Sequence, residues 1–190
     1  MEQLKIEWTV INSKLVKYMT SLVNKRIEKA YIKLPSKTLN DKYNNVGNIN
    51  SDMMSLTEEE LIFNKIQNEE VIEYDKISNV LRDLKECHDK INIYGKKKIE
   101  ELNNKYNNKD THNGDDDDNN NNNNNINNKL TYKYNIKQLE EILSNYNQEM
   151  KVKERIVDDI NCQAKREILL AYTATILMEP YLTQNTTSLY

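Results

Sequence analysis

Apolar residues near the start of the chain recur in alternating steps of three and four. Leu4, Trp8, Ile11, Leu15, Tyr18 and Leu22 are spaced 4, 3, 4, 3 and 4 apart, a heptad pattern that draws one narrow apolar seam down a helix. Ile27, Ala30, Tyr31 and Leu34 continue it in a changed register. Pro35 pushes the preceding residue out of helical backbone space, so an N-terminal helix is expected over 1–34. From 35 to 56 the pattern dissolves into Asn, Asp, Ser and one Gly, which predicts a mobile loop.

Thr57-Glu58-Glu59-Glu60 has the form of a capping box, in which the Thr oxygen and the third following Glu each satisfy a backbone N–H. It opens a long helix predicted over 57–106. Leu61, Ile66, Val71 and Tyr74 lead into a seam of Ile77, Val80, Leu84, Cys87, Ile91 and Tyr94. Ile99, Leu102 and Tyr106 resume beyond Gly95 in a shifted register. At ~1.5 Å per residue such a helix reaches roughly 70 Å, too long to pack into a sphere of this mass. Residues 107–131 hold four consecutive Asp and seven consecutive Asn, and from Asn107 to Lys129 the one apolar residue is Ile126. They are expected to be disordered, because so little apolar surface cannot offset the entropy of ordering. A C-terminal helix is predicted over 132–180, with Ile136, Leu139, Leu143, Tyr146, Met150, Val157, Ile160 and Ala164 on its seam and a kink near 161–166. From Ile168 to Met178 it is apolar nearly all round, the mark of a helix covered on more than one side. Pro180 stops it, and 181–190 is expected to fray. The pattern therefore predicts an all-α fold: a long antiparallel coiled-coil or helical hairpin bundle of three main helices, interrupted by a disordered Asn-rich insert.

Composition sharpens this only a little. Of the 190 residues 37 % are hydrophobic and 30 % charged, which suits long solvated helices. The abundance of Asn, Lys, Ile and Tyr fits AT-rich codons and carries little functional weight. Net charge is −3 with the signs interspersed, and the short run Lys96-Lys97-Lys98 is a poor phosphate-binding stripe. No direct nucleic-acid contact is expected. The apolar run from Ile168 to Met178 is too short to span a bilayer, and the opening residues lack the pattern of a secretory leader. A nuclear or cytosolic protein that touches no membrane is expected, with Cys87 and Cys162 as reduced thiols.

No motif for catalysis or cofactor binding emerges. The glycines are isolated at Gly47, Gly95 and Gly114, so no phosphate cradle forms. His88 shares its helix face with Leu84, Lys85, Ile91 and Asn92, while Glu86 and Asp89 point elsewhere. His112 lies in the insert. Glu140-Glu141 and Asp158-Asp159 are adjacent pairs that diverge by about 100° on a helix. No catalytic, cofactor or metal residues are expected. The expected contact with a protein partner is one flank of the C-terminal segment, formed by Leu169, Tyr172, Ile176 and Met178 and followed by Pro180 and Tyr181, because an apolar patch left exposed there would mark an interface. The alternative is that this helix closes the bundle against Trp8 and Ile11.

The stretch Tyr146-x-x-Glu149-Met150-x-x-Lys153, with Ile156, Ile160, Leu170, Tyr172, Leu177 and Pro180-Tyr181, resembles the C-terminal region of the cyclin-dependent kinase-interacting protein family. Trp8-x-x-Ile11-Asn12 is similar to the family's opening motif. Two positions depart from it: the family has a polar, proline-containing break where this chain reads Gln163-Ala164-Lys165-Arg166, and a tryptophan where it has Ile176. The resemblance implies a small, non-enzymatic nuclear adaptor. Its partners would be a cyclin-dependent kinase complex with replication or checkpoint machinery, or an AAA+ ATPase complex in ribosome maturation. The different reading left by the heptads alone is a structural coiled-coil subunit of a kinetochore, tethering or cytoskeletal complex.

Overall fold

The computed structural model of the chain describes residues 1–32, 57–108, 122–160 and 165–183. The expected loop at 35–56, residues 109–121 of the expected insert, and residues 161–164 of the expected kink lie outside the described residues; of the tail expected to fray over 181–190, residues 181–183 are helical and the rest lies outside. Within them the fold is all-α: α1 (Glu2–Ala30), α2 (Glu58–Asn108), α3 (Asn122–Ile160), α4 (Arg166–Met178) and the single turn α5 (Pro180–Thr183), with no strand. No helix among them is long and apolar enough to cross a membrane.

The capping box forms as its sequence dictates. Thr57 Oγ1 accepts the Glu60 N–H at 3.2 Å and Glu60 Oε2 accepts the Thr57 N–H at 3.0 Å. From there α2 runs antiparallel to α1. The Cys87 thiol faces the Leu4 carbonyl, Lys90 pairs with Glu7 at 2.7 Å, and at the other end Lys29 pairs with Glu70 at 3.0 Å and Lys25 with Glu69. α3 returns antiparallel to α2, with Lys85 and Glu154 2.7 Å apart. α4 then turns back along α1, where Asn12 Nδ2 donates to the Ile176 carbonyl at 3.1 Å. One continuous core results, in which Trp8, Leu15, Met19 and Leu22 of α1 meet Ile77, Leu84, Cys87 and Ile91 of α2, Tyr146, Met150 and Ile160 of α3, and Leu169 and Ile176 of α4.

Four expectations change. Residues 122–131 are helical as the first turns of α3 and not part of a disordered insert; lengthening an existing helix fixes one residue per hydrogen bond and avoids the cost of a nucleus. The kink expected near 161–166 is a full break between two helices, since α3 ends at Ile160 and Lys165 is extended at ψ 153° before α4 begins. Leu61 and Val71 are exposed; near the end of α1 the contact with α2 is largely ionic, and Ile66 is the buried apolar residue there. Tyr31 is also exposed, beyond the end of α1.

The seam of α2 steps from Ile91 to Gly95, leaving Tyr94 on the flank at 42 % exposure. Gly95 is buried, and Leu143 of α3 fills the space where a side chain would begin: a Cβ built there would lie 2.6–2.9 Å from three Leu143 side-chain carbons. The glycine thus lowers helix propensity by ~1 kcal/mol to admit its neighbour.

Two effects oppose each other in Gly95→Ala, a propensity gain of ~1 kcal/mol and an overpacking cost of about 1–3 kcal/mol. We expect net destabilisation in urea melts. In a Leu143→Ala background the same change should become stabilising.

Candidate partner-docking surface and the buried knot beneath it

The seam of α3 carries a charge at its centre. Tyr146, Met150, Lys153, Val157 and Ile160 are spaced 4, 3, 4 and 3 apart, so Lys153 occupies a heptad position. Lys153 and Glu149, one turn before it, are both fully buried. A buried ammonium must be neutralised and its hydrogens accepted. Lys153 Nζ donates to Glu149 Oε1 at 2.9 Å and to Glu179 Oε1 at 3.2 Å, and lies 5.7 Å from the centre of the Trp8 ring. Trp8 Nε1–H donates to the same Glu179 oxygen at 2.7 Å. The second Glu149 oxygen accepts the Tyr181 N–H at 3.3 Å, and Tyr146 meets Trp8 edge to face with centroids 5.1 Å apart. Burial pushes the Tyr146 hydroxyl up to about 12, with Glu179 adding to the effect.

Glu179 caps α4 with φ 44° and ψ 62°, a left-handed conformation that favours glycine and costs other residues of order 1 kcal/mol or more. Its carboxylate is the reason a side chain sits there. This knot fixes the end of α4 on α1 and α3, and so decides which face of α4 is covered.

Leu169 and Ile176, expected on the contact flank, are both 0 % exposed and pack in the core. The expectation that they are free is corrected: α4 closes against α1 on that side. Tyr172 is half-buried, its hydroxyl donating to Asp159 Oδ2 at 3.1 Å, and Pro180 and Tyr181 are also half-buried. Met178 is open at 66 %, joined by Leu177 at 64 % and by Ile168 and Leu170. Ala171 and Ala174 are exposed between them. An uncharged stretch from Ile168 to Met178 therefore presents an uncovered apolar face.

Elsewhere the chemistry is structural. A surface cleft of about 490 Å³ between α2 and α3 is lined by Lys85, His88, Asp89, Asn147, Met150, Lys151 and Glu154. In it the His88 ring lies 2.7 Å from Asn147 Oδ1, and Asn92 Nδ2 is 3.1 Å from the same ring nitrogen. Asp89, expected to point away, comes to 3.7 Å of the ring while staying well exposed. Burial pushes the Cys87 thiol up to about 11, Glu7 contributing, so it stays protonated at neutral pH. Among the described residues no three His, Cys, Asp or Glu side chains gather as a metal site. Lys98 pairs with Glu101 at 2.9 Å.

Sequence reading missed the buried pair, although the signal was present: a lysine at a heptad position with a glutamate four residues earlier. Glu179 gave no signal of its own. Comparison with protein-family models, with curated proteins and with solved structures gives no match for this chain.

Removing one member of a buried ion pair strands the other, at about 3–5 kcal/mol. Lys153→Met should lower stability by that much, whereas Glu149→Met combined with Lys153→Met should recover most of the loss. A double-mutant cycle in urea checks this; additive losses would mean that the two side chains do not act as a pair.

Proposed function

We propose that this chain is a non-enzymatic helical adaptor or scaffold subunit of a larger assembly, and that it docks a protein partner on the outer face of α4. The observation that carries the reading is the uncharged helix from Ile168 to Met178, buried on one side only and leaving Leu170, Leu177 and Met178 in water. Exposed apolar clusters of this kind mark interaction sites. The partner set is the one implied by the resemblance to the cyclin-dependent kinase-interacting family: a nuclear kinase, replication or checkpoint complex, or an AAA+ ATPase complex of ribosome maturation. What supports that resemblance is spatial. Trp8, Asn12, Tyr146, Glu149, Lys153 and Tyr181, drawn from both ends of the chain, meet around the knot under α4.

A second reading, a structural subunit of a kinetochore, tethering or cytoskeletal complex, is favoured by the reach of α2. That helix continues for about 27 Å past Lys90, its partner near the start of α1, at ~1.5 Å per residue.

Leu170→Glu with Leu177→Glu should leave the thermal midpoint within a few degrees, because exposed substitutions change stability by about 0.5 kcal/mol or less. The same variant should lose its partners in affinity purification from nuclear extract. Wild-type capture of an AAA+ ATPase or replication factors supports the first reading, and tubulin or centromere components the second. Retention of all partners by the variant refutes docking on α4.

A further inference from the structure

Thr9, Ser13, Val16 and Thr20 form a column on α1, spaced 4, 3 and 4 apart. The bonds from Trp8 to Glu179 and from Asn12 to the Ile176 carbonyl set α4 antiparallel beside α1. The column lies about 70° further round α1 than Asn12, taking ~100° per residue, and so forms one wall of a surface groove. On α4 the matching wall is Leu170, Ala174 and Leu177. The hydroxyls on the α1 wall are turned inward: Thr9 donates to the Lys5 carbonyl at 3.0 Å, Ser13 to Thr9 at 2.9 Å and Thr20 to Val16 at 2.8 Å. Their hydrogens are therefore already used within α1. Covering this wall with apolar surface strands no donor, which removes the usual penalty for burying a hydroxyl. Thr9 to Thr20 spans about 16 Å, or three helical turns.

The cations bordering the groove are unpaired. Lys17 on α1 and Arg166 at the start of α4 make no hydrogen bond or ion pair among the described residues, whereas Lys5, Lys25, Lys29, Lys85 and Lys90 are all paired. One exposed carboxylate, Glu167, sits on the outer rim. We propose that this groove receives an amphipathic helix of a partner protein whose apolar stripe is flanked by Asp and Glu. The inference rests on the α4 docking reading and adds the partner's chemistry. An uncharged floor whose hydroxyl donors are already satisfied suits a helix laid in a groove, and a cationic border selects an acidic flank. A second copy of the chain is a poorer occupant, since it would bring the same two cations to the seam.

The test is selection from a displayed library of helical peptides, apolar at fixed heptad positions and randomised over Asp, Glu, Lys, Arg and Ser at the flanking ones, with the full chain as bait. Recovered peptides should be enriched in Asp and Glu flanks. They should bind Leu170→Glu/Leu177→Glu undetectably and Lys17→Glu/Arg166→Glu about tenfold more weakly, with charge-swapped peptides restoring binding to the latter. Flanks rich in Lys or Arg, flanks without bias, or an empty selection would overturn the proposal. So would a dimer in sedimentation velocity that Leu177→Glu dissociates, or pelleting with phosphatidylserine vesicles that the same change abolishes. If Leu170→Glu/Leu177→Glu loses its cellular partners while the flanks come back basic, α4 remains the docking surface and only the acidic helix fails. If that variant keeps its partners, both readings fall.

Discussion

A single ammonium group withdrawn from water organises this molecule. Lys153 sits at a seam position of α3 with no solvent around it, and burial of that charge is tolerable only when carboxylates complete its shell. One comes from its own helix, as Glu149. The other, Glu179, must be delivered from the far end of α4, and it arrives already holding the indole N–H of Trp8. Three helices are thereby tied at one point, near the start of α1, the last turns of α3 and the end of α4. The rest of α4's position follows, including the burial of Leu169 and Ile176 and the exposure of Leu177 and Met178.

The arrangement trades stability for placement. An apolar residue at 153 would avoid the desolvation cost, and a glycine at 179 would avoid the left-handed strain. A generic apolar helix could slide or rotate on α1 with little change in contact area. A charge that must find one lysine cannot, and the Asn12 contact to the Ile176 carbonyl fixes the register a second time. Polar groups in apolar seams are best known for specifying register in this way.

Much of the fold was legible because local chemistry determined it. The capping box at Thr57 and the seams through Trp8, Leu15, Ile77, Leu84 and Ile91 could be read from spacing, since heptad periodicity reports one covered face. The departures arise where a second helix overrides the local pattern. Tyr94 looked like a seam residue until Leu143 claimed the space at Gly95, and the flank of α4 could not be assigned while the position of α1 was unknown. An apolar run shows that a helix is covered but does not say on which side. For the docking surface, sequence supplied the segment from Ile168 to Met178, and only the knot beneath it separates Leu169 from Leu170.

The helices are unequal in length, and this divides the molecule into regions of different cooperativity. Toward Asn108, beyond the start of α1, α2 has α3 for company but no longer α1, so each turn is held by one neighbour where the body has several. Opening free energies fall toward such ends, and turns there can fray without disturbing Trp8 or Lys153. The residues that join α2 to α3 are attached at this weakly held end, far from the knot. A change in the length of the Asp and Asn tract between them would therefore act on this end first, at a loop-closure cost that grows only slowly with length, and leave the face offered to others in place.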